Sequence, residues 1–197
     1  YSQPNYELEK IRTEKNEFGF WNNEIVILDS SLVEEQRLTT VSLNHTDNHD
    51  FLITEEGTFM LLSYNSERRD LSEYGLAVNE LTRDSVIQEQ TQSGEVLFEG
   101  NSWDHIDIDD CLNHRFPDDY AHINSIQVAP DGDIIASLRG CSAVVKIDRS
   151  STDTVWQLGG LNSDLTIVGD LYDEFCGQHT ATLGPDDSLL LFDNGGH

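Results

Sequence analysis

The stretch HINSIQVAPDGDIIASLR, residues 122–139, decides the fold. It opens on a histidine, passes an acidic turn with glycine at Asp131-Gly132, and ends in the apolar run IIASL. A turn of that chemistry between two short strand-forming runs predicts a tight β-hairpin. The same order recurs from His49 in HDFLITEEGTFMLLSY (49–64) and from His179 in HTATLGPDDSLLLFDNG (179–195). A second kind of hairpin, without the histidine, alternates with the first: EIVILDSSLVEEQRL (24–38), VIQEQTQSGEVLFEG (86–100) and AVVKIDRSSTDTVWQLGG (143–160). One hairpin of each kind makes four strands, the content of one β-propeller blade.

Read this way the chain is all-β: a β-propeller of four-stranded blades, present in part over residues 1–197. The repeats supply the end of one blade, two full blades and the first hairpin of another. Propellers close with about 4–8 blades, so further blades are expected after His197 and before Tyr1. The unequal spacing of the histidines fits insertions in loops. Residues 66–84 (SERRDLSEYGLAVNELTRD) read as a polar surface excursion. Residues 101–121 (NSWDHIDIDDCLNHRFPDDYA) read as a long aromatic and acidic loop near the histidine face.

Charge excludes whole classes of partner. The 37 acidic residues against 11 Lys+Arg give a formal net charge of −26. Nucleic-acid binding needs a basic surface to neutralise phosphates, and docking on an anionic membrane needs the same. No run approaches the roughly 18 consecutive apolar residues of a membrane helix, so no membrane insertion is expected. The chain begins with Tyr1 and shows no signal pattern, and is read as processed or as a fragment. Cys111, Cys141 and Cys176 are odd in number and contain no CxxC pair. One disulfide with a free thiol, and three buried thiols, are equally compatible with that count.

The histidines carry the chemistry. His49, His122 and His179 occupy the same place in successive hairpins, and equivalent positions of a radial repeat converge on its axis. Asn124, two residues after His122, is expected on the same strand side. Arg139 ends the apolar strand, where a lone guanidinium calls for an anion. Imidazoles, an amide and a guanidinium without clustered carboxylates make a poor hard-metal site and a good oxyanion site. Three histidines can also hold zinc, which stands as the weaker alternative. Trp103, Phe116 and Tyr120 are candidates to line an aryl pocket, with core packing as the other reading. His45, His105 and His114 read as surface or loop residues without chemistry.

These residues carry a resemblance. AHINSIQ…PDG…ASLR (121–139), NSWDHIDI (101–108) and CGQHTA…LLLFDNG (176–195) resemble the arylsulfotransferases that work without a nucleotide sulfate donor. The resemblance covers roughly residues 20–197 and implies a six-bladed propeller. It implies transfer of a sulfuryl group from a phenolic sulfate ester to a phenolic acceptor in two steps, with no cofactor or metal. It makes His179 the histidine that becomes sulfated, His122 and Asn124 the His-x-Asn pair, and Arg139 the binder of sulfate oxygens. His49 matches a further active-site histidine. It also implies export from the cell. Two rivals stand beside it: a non-catalytic ligand-binding propeller, and a hydrolase in which water takes the group from His179.

Overall fold

The computed structural model describes residues 7–15, 17, 21–111, 117–170 and 174–195. Among the described residues thirteen strands form four antiparallel sheets. The first sheet joins β1 (Glu7–Lys15), β2 (Trp21–Leu28) and β3 (Glu34–Leu38). The second joins β4 (Thr46–Ile53), β5 (Phe59–Arg69), β6 (Glu80–Gln90) and β7 (Val96–Asn101). The third joins β8 (Ile123–Val128), β9 (Ile134–Leu138), β10 (Ala143–Ile147) and β11 (Thr154–Gly159). The fourth is the pair β12 (His179–Leu183) and β13 (Leu189–Phe192). All six hairpins read from the sequence are present, and both complete sheets pair one hairpin of each kind. No helix of the described residues is long and apolar enough to cross a membrane.

The three histidine-led hairpins turn in the same way. Thr54, Ala129 and Gly184 each donate from N to the carbonyl four residues on, at 2.9, 2.8 and 2.7 Å. The residue before the return strand's approach is left-handed: Gly57, Gly132 and Asp187. Glycine takes that conformation without a Cβ clash, and aspartate tolerates it through local hydrogen bonding.

The core lies between sheets, in layers. Ile25, Ile27, Leu38, Phe51, Phe59 and Leu61 fill the space between the first and second sheets. Met60, Leu62, Ile87, Ile123, Ile134 and Ala136 are among those filling the next. Ile135, Val144 and Ala181 fill the space between the third and fourth. Successive residues of one strand therefore serve opposite layers, which is why FMLL and IIASL are apolar without alternation. On β13, Leu190 and Phe192 are exposed while Leu189 and Leu191 pack toward the third sheet.

Residues 66–84 form a polar excursion with regular structure: β5 and β6 run on as a long hairpin paired from Phe59↔Gln90 to Arg69↔Glu80, and Glu67, Arg68, Asp70, Ser72, Glu73 and Asn79 are exposed. Within it the Arg69 guanidinium lies 2.7 Å from the buried Asp84 Oδ1, and Leu71 at the tip is fully buried. One expectation is corrected: residues 101–121 are not plain loop. They hold a one-turn helix α1 (Ser102–His105) and 3₁₀ turns at Ile108–Asp110 and Pro117–Asp119. A disulfide joins Cys111 to Cys141, while Cys176 is a buried thiol whose sulfur accepts from the Ser142 hydroxyl at 3.3 Å. The disulfide ties this segment to the third sheet.

The second and third sheets are also clasped by an ion pair. Glu89 on β6 is 1% exposed and receives the Arg149 guanidinium, with Nε at 2.9 Å from Oε2. The Thr58 hydroxyl is its other partner. Arg149→Ala would leave a buried carboxylate largely uncompensated, and should lower the unfolding free energy by about 2–4 kcal/mol in urea titration. A change within about 0.5 kcal/mol, the size of an ordinary surface substitution, would refute the clasp.

Candidate active site

The three repeated histidines come together along the first strands: His49 lies within β4, His122 just precedes β8 and His179 opens β12. The His49 and His122 ring centroids lie 5.2 Å apart, and those of His49 and His179 lie 6.5 Å apart. His49 and His179 sit at breaks in strand register, between Thr46 and Phe51 and between His179 and Thr182, and His122 stands one residue before the break between Ile123 and Ser125. Such bulges re-aim side chains, and they collect beside active sites. His122 and Thr180 are left-handed, with φ of 48° and 56°.

Each imidazole has a fixed partner on Nδ1. His49 Nδ1 lies 2.7 Å from Asp47 Oδ1, and His122 Nδ1 lies 2.5 Å from Asp119 Oδ2. His179 Nδ1 instead meets the amide of Asn194 at 2.8 Å. Two imidazoles thus rest on carboxylates and the third on a neutral amide. The expected site without clustered carboxylates is corrected here. Asp47 and Asp119 stand two and three residues before their histidines. Only the local bends turn them onto the rings, so sequence proximity gave no warning.

Arg139 is fixed by the same hairpin. Its backbone N donates to His122 O at 2.9 Å, so the two residues are neighbours across β8 and β9. Gly140 follows, packed so closely on the Tyr120 carbonyl that an added Cβ would lie 1.9 Å from its oxygen. The guanidinium is half-buried and makes no ion pair among the described residues, although the chain carries a net charge of −26. Its charge reaches His179 and Tyr64. Partial burial lowers the His179 pKa, the Gly177 carbonyl opposes that, and His122, Arg139 and His49 push it down further. His179 is therefore held below the usual imidazole range.

Asn124 takes a different place from the one expected. The register break after Ile123 cancels the alternation that put it beside His122. Its amide is buried and donates to the Gln178 carbonyl at 2.8 Å. Gln178 is fully buried, and its own amide reaches Ala143 O at 2.8 Å, Ser137 Oγ at 3.1 Å and Leu138 O at 3.3 Å. These bonds clamp the residue before His179 onto the third sheet. Gln178 belongs to a quoted motif, yet its positioning work could not be read from sequence.

Other residues settle as follows. His45 is not a surface residue: it is buried behind Tyr64, with ring centroids 5.7 Å apart, and burial lowers its pKa. Tyr64 is itself buried, 6.5 Å from the His122 ring, with the Arg83 guanidinium 5.0 Å over its face. Sequence reading missed Tyr64 and Arg83. Tyr120 is fully buried and bonded to Ser102, so it packs in the core rather than lining a pocket. Trp103 lies beneath the Arg69 guanidinium at 4.0 Å and edge-on to Tyr120. His105 bonds to Thr152. Phe116, His114 and His197 lie outside the described residues. No group of three or more His, Cys, Asp or Glu among the described residues is arranged to hold a metal ion.

Fold and site together define an all-β protein with converging imidazoles beside a guanidinium that has no carboxylate partner among the described residues. The family model described as Arylsulfotransferase (ASST) matches residues 14–197, and the chain belongs to the arylsulfotransferase family. A search of curated proteins gave no match.

The Gln178 clamp makes a direct prediction. Gln178→Leu keeps the volume but strands the carbonyls of Ala143 and Leu138. It should cost about 1–3 kcal/mol of stability by denaturant titration. A neutral result would mean that His179 is positioned by other means.

Proposed function

We propose that this protein transfers a sulfuryl group from a phenolic sulfate ester to a phenolic acceptor through a sulfated His179. The observation that carries the reading is the half-buried Arg139, with no carboxylate partner among the described residues, beside imidazoles with different partners. We further propose that the sheets are blades of a β-propeller, with β4, β8 and β12 lining its axis. The protein is exported on this reading, which the Cys111–Cys141 disulfide supports.

In the first half-reaction the His179 lone pair attacks sulfur, an N–S bond forms, and the S–O bond to the aryl group breaks. The nucleophile must be unprotonated, and the environment of His179 favours that form. The Gly177 carbonyl that accepts from the ring favours the tautomer with its hydrogen on Nδ1, which leaves the Nε2 lone pair for the attack. Arg139 neutralises the charge on the three outer oxygens, with His49 as a further donor, while Asn124 acts through its bond to the Gln178 carbonyl. The departing phenolate, of pKa about 10, takes a proton from His122. In the second half-reaction His122 takes the acceptor's proton, the phenolic oxygen attacks sulfur, and the N–S bond breaks. The Nδ1 proton of His122 stays on the ring throughout.

Mass spectrometry of the full-length protein, treated with donor and no acceptor and quenched at alkaline pH, should find the sulfuryl group on the peptide with Gln178-His179-Thr180. His179→Asn should abolish phenol release as well as transfer, and Arg139→Lys should slow both without stopping them, since charge survives and the two-pronged geometry does not. Rapid turnover with ternary-complex kinetics and no adduct would overturn the mechanism.

The acid side of the pH profile supplies a second check. Protonation of His179 removes the nucleophile, so kcat/KM should fall as pH falls through its pKa. The limb should lie below the ordinary imidazole value of about 6.5, because burial and cationic neighbours disfavour the charged ring. A limb centred above that value would contradict the assignment.

A further inference from the structure

We propose that Asp119, anchored by Arg83, is the positioning residue that sets the tautomer and orientation of His122 for proton exchange with the aryl oxygen. The inference rests on the sulfotransferase reading above, and it assigns work to two residues outside the repeated motifs.

The geometry is specific. Asp119 Oδ2 is shared between His122 Nδ1 at 2.5 Å and Arg83 Nη2 at 3.2 Å. Arg83 Nε also donates to the Asp118 carbonyl, so one guanidinium grips two successive residues of the 3₁₀ turn that carries Asp119. The same guanidinium lies 5.0 Å over the Tyr64 ring, and Tyr64 is 6.5 Å from the His122 ring. Tyr64 is buried, and its hydroxyl donates to Ile123 O at 3.3 Å. Asp119, Arg83 and Tyr64 therefore bracket the imidazole. His122 itself has φ of 48°, a conformation that a non-glycine residue keeps only when its surroundings fix it.

The chemistry follows from the partners. An ionised carboxylate only accepts hydrogen bonds, so Nδ1 must carry the hydrogen. Nε2 is then the nitrogen that gains and loses the proton, and no partner among the described residues occupies it. When His122 holds a proton on Nε2 it is an imidazolium, and Asp119 stabilises that charge. Giving the proton to the leaving phenolate returns the neutral ring with Nδ1 still bonded to Asp119. The next acceptor phenol restores it, so atoms and charge balance over the cycle. Arg83 keeps the carboxylate from rotating off the ring. His179, on an amide instead of a carboxylate, lacks this support for a charged form, which separates the nucleophile from the acid–base group.

Dependence on the leaving group provides the test, in the full-length protein. An unsubstituted phenyl sulfate needs its departing oxygen protonated, whereas a nitrophenyl sulfate leaves a stabilised anion. Asp119→Ala should lower kcat for phenyl sulfate by about 10²-fold or more, the scale of general acid–base catalysis. The loss for nitrophenyl sulfate should be under about 5-fold, with no loss of sulfuryl adduct on His179. In a His122→Gln background, Asp119→Ala should cost nothing further, because the residue acts through the imidazole. Asp119→Asn, which keeps the shape and removes only charge, should show the same leaving-group pattern more weakly and serves if the alanine variant fails to fold. Equal losses with both donors, or an undiminished loss in the His122→Gln background, would overturn the assignment and mark Asp119 as structural. Absence of aryl sulfate turnover in the unaltered protein would instead overturn the sulfotransferase reading itself.

Discussion

The site depends on a seam of hydrogen bonds between side chains of one sheet and the first-strand backbone of the next. An outermost strand exposes backbone groups on its free side, and burying them without partners is costly. Here they are met by side chains. Asn22 Oδ1 and Asn23 Nδ2 take both sides of Thr46, each at 2.8 Å. Asp50 Oδ2 accepts from Ile126 N at 2.9 Å. Ser125 Oγ accepts from Ala181 N at 3.0 Å, and the Gln127 amide accepts from Leu183 N and donates to Leu183 O. The sheets stay separate as hydrogen-bonded units, yet their first strands are held at fixed spacing. Hydrophobic layers alone would allow sliding, since apolar contact has no direction. The polar seam sets the register between sheets.

That register determines where the imidazoles end up. His49 within β4, His122 just before β8 and His179 at the start of β12 belong to three strands the seam holds side by side, and the register breaks beside them let the rings meet. Their partners then make them unlike. Aspartates hold His49 and His122, and an asparagine holds His179. Three copies of one residue in one repeated position thereby acquire distinct chemistry from the group behind each ring. Arg139 joins them because β9 returns alongside His122, and among the described residues no carboxylate pairs with it.

Much of this was legible in the sequence, for a physical reason. Hairpins announce themselves through turn residues and short apolar runs, so the six hairpins and their pairing into two four-stranded sheets could be read directly. The repeated histidines could be read because repetition preserves position. The errors are equally physical. The strands within the surface excursion SERRDLSEYGLAVNELTRD went unseen because its polar residues, most of them exposed, leave no apolar signature; the buried Leu71 and the Arg69–Asp84 pair are what the structure adds. His45 looked like a surface residue because a lone histidine carries no sign of burial.

The sequence by itself determined the strand order, the turns, the acidity and the identity of the repeated histidines and Arg139, because these rest on local chain chemistry and on residue type. Tertiary structure alone decided the pairing of Cys111 with Cys141, the clamp of Gln178 on the third sheet, and the partners of each imidazole. Those contacts depend on bulges and left-handed residues that shift side-chain direction within a step or two of the strand. Alternation cannot be counted across such a break, which is why Asn124 faces Gln178 and why Asp119 reaches His122.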